Sequence, residues 1–90
     1  PEQAFAECLS VAKALGWEVA AAVQPELRIE ATDTTPFFGF KDDIVIRITP
    51  SGPASRIDIR SVSRVGRSDL GTNARRIKEF YRLLARLQKE

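Results

Sequence analysis

Ile44, Ile46 and Ile48 alternate with Asp43, Val45, Arg47 and Thr49, and Ile57 and Ile59 alternate with Arg56, Asp58 and Arg60, with only Pro50-Ser51-Gly52-Pro53-Ala54 between the two runs. Alternation of this kind is the period of a strand with one face buried and one wet. Leu27, Ile29 and Ala31 against Arg28, Glu30 and Thr32 repeat the pattern, as do Trp17, Val19, Ala21 and Val23 against Glu18, Ala20, Ala22 and Gln24. The first of these strands closes at a turn over Pro25 and Glu26. Parallel neighbours need crossovers of about a dozen residues or more, and connections this short leave only an antiparallel meander of four strands.

Helical periods bracket the meander. Phe5, Cys8, Leu9, Ala12 and Leu15 share one face of a helix from about Glu2 to Leu15, and Gly16 stands where a left-handed terminal residue is wanted. From Leu70 onward, Ala74, Ile77, Phe80 or Tyr81, Leu84 and Leu87 recur at three- and four-residue spacing. The expected fold is α+β, a two-layer sandwich in the order α-β-β-β-β-α with both helices on one face of the sheet. Its core is Phe5, Leu9, Leu15, Trp17, Val19, Leu27, Ile29, Ile44, Ile46, Ile48, Ile57, Ile59, Ile77, Phe80, Leu84 and Leu87. The opposite face carries Glu18, Arg28, Glu30, Arg47, Arg56, Asp58 and Arg60, a wet charge ladder whose alternating signs permit cross-strand pairs.

Ninety residues make one domain, residues 1–90, and a chain opening on Pro1 rather than Met is expected to be a piece of a longer protein. No apolar run approaches the ~20 residues of a membrane span. One cysteine and no histidine exclude an internal disulfide, imidazole-assisted hydrolysis and Cys-His catalysis. Neither a cofactor nor a bound metal is expected. Cys8 lies on the apolar face of the first helix, where a small buried thiol is expected rather than a nucleophile. The net charge of +2 hides an asymmetry: residues 1–45 carry three basic and eight acidic side chains, a balance of −5, and residues 46–90 carry eleven and four, a balance of +7. Ten arginines against four lysines favour planar, bidentate contacts to carboxylate or phosphate.

Two loops carry the functional residues. In Arg60 to Phe80, RSVSRVGRSDLGTNARRIKEF, the strand ends near Val62, the polar stretch Ser63 to Gly71 turns, and the last helix opens with Thr72, Asn73, Arg75 and Arg76. Hydroxyls, guanidinium groups and the unpartnered N–H groups of a first helical turn form the composition of an anion site. Its candidate residues are Arg60, Ser63, Arg64, Arg67, Asp69, Asn73 and Arg76. The same residues have a structural reading: Asp69 or Thr72 caps the helix, Arg64 or Arg67 pairs with Asp69, and Asn73 ties the loop backbone down. The second loop, TTPFFGFKD, crowds Phe37, Phe38 and Phe40 around Gly39. These rings either fold back over an open end of the core or meet a partner protein, a lipid surface or an apolar ligand.

RSVSRVGRSDLGTNARRI, together with IEATDTT and GFKDDIVIRI upstream and LGWEV before them, resembles the family of domain of unknown function 1499. The match runs from about the first helix into the last. It rests on Glu30, Phe40, Asp42, Asp43, Arg47, Arg60, Ser61, Ser63, Arg64, Gly66, Asp69, Gly71, Asn73 and Arg76. The resemblance implies a module of bacteria and plant chloroplasts, often within longer chains and without an assigned activity; it leaves the bacterial cytoplasm, the cell envelope and the chloroplast open as locations.

The residues therefore point first to a non-enzymatic binding or accessory domain that receives an acidic group, a small anion or a lipid headgroup, at Ser63 to Arg76. A protein partner at the aromatic loop stands beside it. The alternative is an enzyme using a carboxylate pair drawn from Glu30, Asp42, Asp43, Asp58 and Asp69. Nucleic acid is disfavoured, because overall charge is near neutral and the aromatics lie on a loop rather than mid-strand on the open face.

Overall fold

The computed structural model describes residues 1–34, 39–64 and 70–89, including the backbone but not the side chain of Leu70. Helix α1 spans Glu2–Ala14. Leu15 closes it, Gly16 follows at φ +82°, and the N–H groups of Gly16 and Trp17 return to the carbonyls of Lys13 and Ala12, both at 3.0 Å. This is a Schellman closure, and it needs glycine at the left-handed position. It turns the chain directly into β1 (Glu18–Val23).

A 3-10 turn over Gln24–Glu26 leads to β2 (Arg28–Thr34), then β3 (Lys41–Ser51), β4 (Ala54–Ser63) and α2 (Leu70–Lys89). The strands form one antiparallel sheet in the order β1-β2-β3-β4, the meander that short connections require. Several boundaries differ from the sequence reading, Trp17 for one preceding β1 instead of opening it. Leu27 lies outside β2, at φ +52°, and its carbonyl accepts the Ile48 N–H at 2.9 Å, so it sets the end of the β2–β3 ladder instead of lying within it. Pro50 belongs to β3, and the β3–β4 hairpin is the two-residue loop Gly52-Pro53, with Ser51 facing Ala54. Gly52 at φ +59° followed by a proline, whose φ is fixed negative, has the signs of a type II′ turn. Asp42 lies in β3 rather than in the preceding loop.

Both helices cover the same face. Its fully buried apolar residues include Cys8, Ala12, Ile29, Ile44, Ile46 and Phe80, and the Phe80 ring stacks on Trp17 with centroids 5.7 Å apart and planes 10° from parallel. Ala4, Val11 and Ala31 also reach the core, joining the larger residues that periodicity assigns to it except Ile77, which is half-buried outside that cluster. Burial pushes the Cys8 thiol up to about 12, so it is a core group and not a nucleophile.

Along the buried face the composition changes. Running toward one end of the sheet, β2 goes Ile29, Ala31, Asp33; β3 goes Ile48, Ile46, Ile44, Asp42; β4 goes Ile57, Ile59, Ser61, Ser63. On α2 the buried positions go Leu84, Phe80, Arg76, Asn73. Four elements thus turn from apolar to polar at the same end, and that end holds the candidate site.

Because Phe80 fills the centre of the layer between helices and sheet, Phe80→Ala is expected to cost about 3–5 kcal/mol. Urea unfolding followed through the fluorescence of the single tryptophan, Trp17, measures it; a loss below about 1 kcal/mol would contradict this packing.

Candidate functional site

Asp33 of β2 pairs in register with Asp42 of β3, so two carboxylates lie side by side on the covered face of the sheet. Like charges directly opposite one another on neighbouring strands repel. Arg76 of α2 resolves the conflict from above. Its Nε is 3.0 Å from Asp33 Oδ2 and its Nη2 is 2.8 Å from Asp42 Oδ2. The remaining nitrogen, Nη1, donates to Ser61 Oγ at 2.9 Å and to Asn73 Oδ1 at 2.6 Å. Ser61 Oγ in turn donates to Asn73 Oδ1 at 2.7 Å, and Asn73 Nδ2 donates to Ser63 Oγ at 3.3 Å. The side chains of Arg76 and Asp42 are only 7% and 5% exposed. A planar guanidinium with five donors in a fork suits this post as an ammonium group would not.

The candidate residues separate between the two faces of the sheet. Ser63, Asn73 and Arg76 meet beneath the helix, in the network just described. Arg60 and Arg64 lie on the open face, away from Arg76, so the expected single cluster around the helix start does not form from them. Arg64 pairs with Asp43: its Nε donates to both carboxylate oxygens at 2.9 and 2.8 Å, and its Nη2 reaches Thr32 Oγ1 at 3.4 Å. Arg60 is exposed opposite Val45 and has no ion pair among the described residues. Arg67, Asp69, Phe37 and Phe38, and with them the expected Asp69 cap and its pairing with Arg64 or Arg67, lie outside the described residues. Phe40 is half-buried.

The carboxylates proposed for catalysis are dispersed. Glu30 pairs with Arg28 at 3.1 Å and Asp58 with Arg56 at 3.3 Å, both on the open face. The two acids that do meet are Asp42 and Asp33, and Asp33 is the residue the sequence reading left out. Its signal was present in the parity of β2, where it continues Ile29 and Ala31 toward the interior. No group of three or more metal-ligating side chains occurs among the described residues.

Beside the network a cleft of about 330 Å³ opens between the end of α1 and the first turns of α2, lined by Leu15, Trp17, Asp33, Thr72, Arg75, Arg76 and Glu79. Leu15 and Trp17 are the apolar part of its lining. Two of its charged groups have fixed partners besides the Arg76–Asp33 bridge: Arg76 also holds Asp42, and Glu79 pairs with Arg82, whose hydrogen bond draws the Glu79 carboxyl below its ordinary value. Arg75, exposed on the same helix, has no ion pair among the described residues.

The architecture is that of a small α+β sandwich with an arginine-bridged carboxylate pair under its second helix and a shallow mixed cleft beside it. The chain belongs to a family described as a protein of unknown function, DUF1499, whose model matches residues 1–84. No curated protein matches it. Among the described residues no helix is long and apolar enough to cross a membrane.

Two outcomes follow from these ion pairs. Arg76→Ala leaves Asp33 and Asp42 facing each other without a counter-charge, and a loss of about 3–5 kcal/mol is expected in urea unfolding. In an Asp33→Asn, Asp42→Asn background the same Arg76→Ala change is expected to cost far less; equal losses in both backgrounds would show that Arg76 acts through packing alone. The second outcome concerns acid. The Arg64 hydrogen bond holds Asp43 below the usual carboxylate range, so the pair's contribution is fully present above the unfolded value of about 3.9 and is lost as pH falls through the depressed folded value. Both partners are about half exposed, which keeps the contribution small and sensitive to salt. Melting curves from about pH 5 to about pH 2 are expected to fall less steeply in Arg64→Ala than in the parent; parallel curves would leave Asp43 no part in acid stability.

Proposed function

We propose that this is a non-enzymatic binding module, taking up a small ligand with an acidic group in the cleft between the end of α1 and the start of α2. The observation that carries the reading is Arg75: in a cleft where Arg76 bridges Asp33 to Asp42 and Glu79 is held by Arg82, its guanidinium is the cation with no ion pair among the described residues. A volume of about 330 Å³ falls at the small end of ligand pockets, and the apolar lining of Leu15 and Trp17 suits an apolar portion beside the acidic one. A carboxylate or phosphate on Arg75, whose fork matches either group bidentately, with a short hydrocarbon or aryl group over Trp17, satisfies both halves of the lining. Relative to the Ser63 to Arg76 corner expected from the sequence, the acidic group moves to Arg75, because Arg76 is buried and bonded on all three nitrogens and Arg64 is held by Asp43 on the open face.

Catalysis by the Asp33–Asp42 pair is the competing reading. The geometry tells against it: both carboxylates are engaged by one buried guanidinium, which bonds each of them directly.

Titration of the labelled domain with phosphate, sulfate, a short-chain phosphatidic acid and benzoate, followed by amide shifts, tests the proposal. Shifts are expected at Leu15 to Trp17 and at Thr72 to Glu79, and Arg75→Ala is expected to abolish them with the melting temperature unchanged. Absence of shifts at millimolar ligand, or their survival in Arg75→Ala, would remove the basis for the reading.

A further inference from the structure

The outer edge of β4 is built differently from the other edge of the sheet. β1 is six residues long and its pairing slips between Val19 and Ala21, a bulge that interrupts the ladder. Short length and bulges are the ordinary means of making an edge unfit for further pairing. β4 is ten residues long, pairs with β3 without a slip from Ala54 to Ser63, and has no proline. The phase of its ladder is fixed by the Arg64 N–H bonded to the Lys41 carbonyl at 3.0 Å and by the Ile48 N–H bonded away from β4, to Leu27. Even-numbered residues of β4 therefore turn their backbone groups toward β3, and the odd-numbered ones, Ser55, Ile57, Ile59, Ser61 and Ser63, turn theirs outward. Among the described residues one bond reaches that outward row, from the Tyr81 hydroxyl to the Ile57 carbonyl at 2.8 Å. A carbonyl has two lone pairs and can accept a second donor.

We infer that β4 pairs antiparallel with β4 of a second copy of this chain about a two-fold axis at Ile59, giving an eight-stranded sheet across a symmetric dimer. Charge selects the partner and the register. On the open face β4 presents Arg56, Asp58, Arg60 and Val62 in order. With the axis at Ile59, each Asp58 lies opposite Arg60 of the second copy, twice over by symmetry. Moving the axis one residue either way sets Asp58 against Asp58 and Arg56 against Arg60, or Arg60 against Arg60, all like-charge pairs that disfavour those registers. The same register sets Val62, 55% exposed and the most exposed large hydrophobic residue among those described, opposite Arg56, whose hydrocarbon stem can cover it. Beneath the sheet the two half-buried Ile59 side chains meet, and the pairing runs the length of the strand, from Ser55 opposite Ser63 to Ser63 opposite Ser55. Arg60, which has no ion pair within the monomer among the described residues, gains one.

Sedimentation equilibrium of the 90-residue chain tests this, with the single variants Asp58→Arg and Arg60→Asp and their mixture. The parent is expected to reach about twice its 10.0 kDa mass as concentration rises into the high micromolar range. Each variant alone places like charges opposite one another and is expected to weaken association by roughly tenfold or more. An equimolar mixture restores opposite charges at both pairs and is expected to form a heterodimer at parental strength. Circular dichroism melts of both variants verify folding, which substitutions at these exposed positions are expected to preserve. A parent that stays monomeric at every concentration would overturn the inference. So would a dimer indifferent to both substitutions, or variants that fail to recover on mixing.

Discussion

The guanidinium of Arg76 is the interaction on which the rest of this structure depends. The antiparallel register that buries Ile29, Ile44 and Ile46 brings Asp33 and Asp42 together one step further along the same rows. The sheet cannot keep that register at this end with two facing carboxylates and no cation, and the nearest element able to supply one is the helix crossing above. By bonding both acids and also Ser61 and Asn73, Arg76 ties β2, β3 and β4 to α2 through a single planar group. Burial of so much charge costs several kcal/mol per ion, and the geometry offsets it only because every nitrogen of the fork finds an oxygen.

Asp42 and Asp43 show how a strand distributes its ties. As neighbours on β3 they point to opposite faces, and each takes an arginine from the chain that follows: Asp42 holds Arg76 beneath the helix, and Asp43 holds Arg64 on the open side. Arg64, just after β4, and Arg76, in the second turn of α2, are thereby each held by one of two adjacent residues of β3. Arg64, half exposed, is held by a pair open to solvent and screening; Arg76 is held by one sealed from it. The first adjusts to salt and acid, whereas removing a partner from the second leaves a buried charge uncompensated.

Most of the fold was legible because alternation and short connections leave few alternatives, and the strands, their order and both helices follow from them. The site was only partly legible, for a physical reason. Arginine and aspartate are ordinarily solvent residues, so Arg76 and Asp42 read as groups facing a ligand or water, and Asp33 did not register at all. Yet the parity that places Ile29 and Ala31 inward places Asp33 inward, and Ile57 and Ile59 do the same for Ser61 and Ser63. On the helix, counting back four positions from Leu84 and Phe80 reaches Arg76. Periodicity carried past the last apolar residue, without a change of rule when the side chains become polar, finds the network from sequence; what it cannot find is Leu27 in a left-handed conformation, since no residue type there announces it.

The charge asymmetry of the sequence takes a different meaning in three dimensions. A half with a balance of −5 followed by one of +7 suggests a basic surface for a polyanion. In the meander, however, β3 lies between β2 and β4, and the second half of the sequence pairs with the first. Asp33, Asp42 and Asp43, all from the acidic half, receive Arg76 and Arg64 from the basic one, while Arg56 and Arg82 find carboxylates within their own elements. Of the arginines with no ion pair among the described residues, Arg47 and Arg60 lie on the open sheet face, Arg75 lies at the cleft, and Arg86 lies in the last turns of α2, where the helix dipole favours a cation. These four arginines therefore lie at three separate places of the fold. Two arginines of the basic half, Arg64 and Arg76, are in this fold the complement of carboxylates from the acidic one.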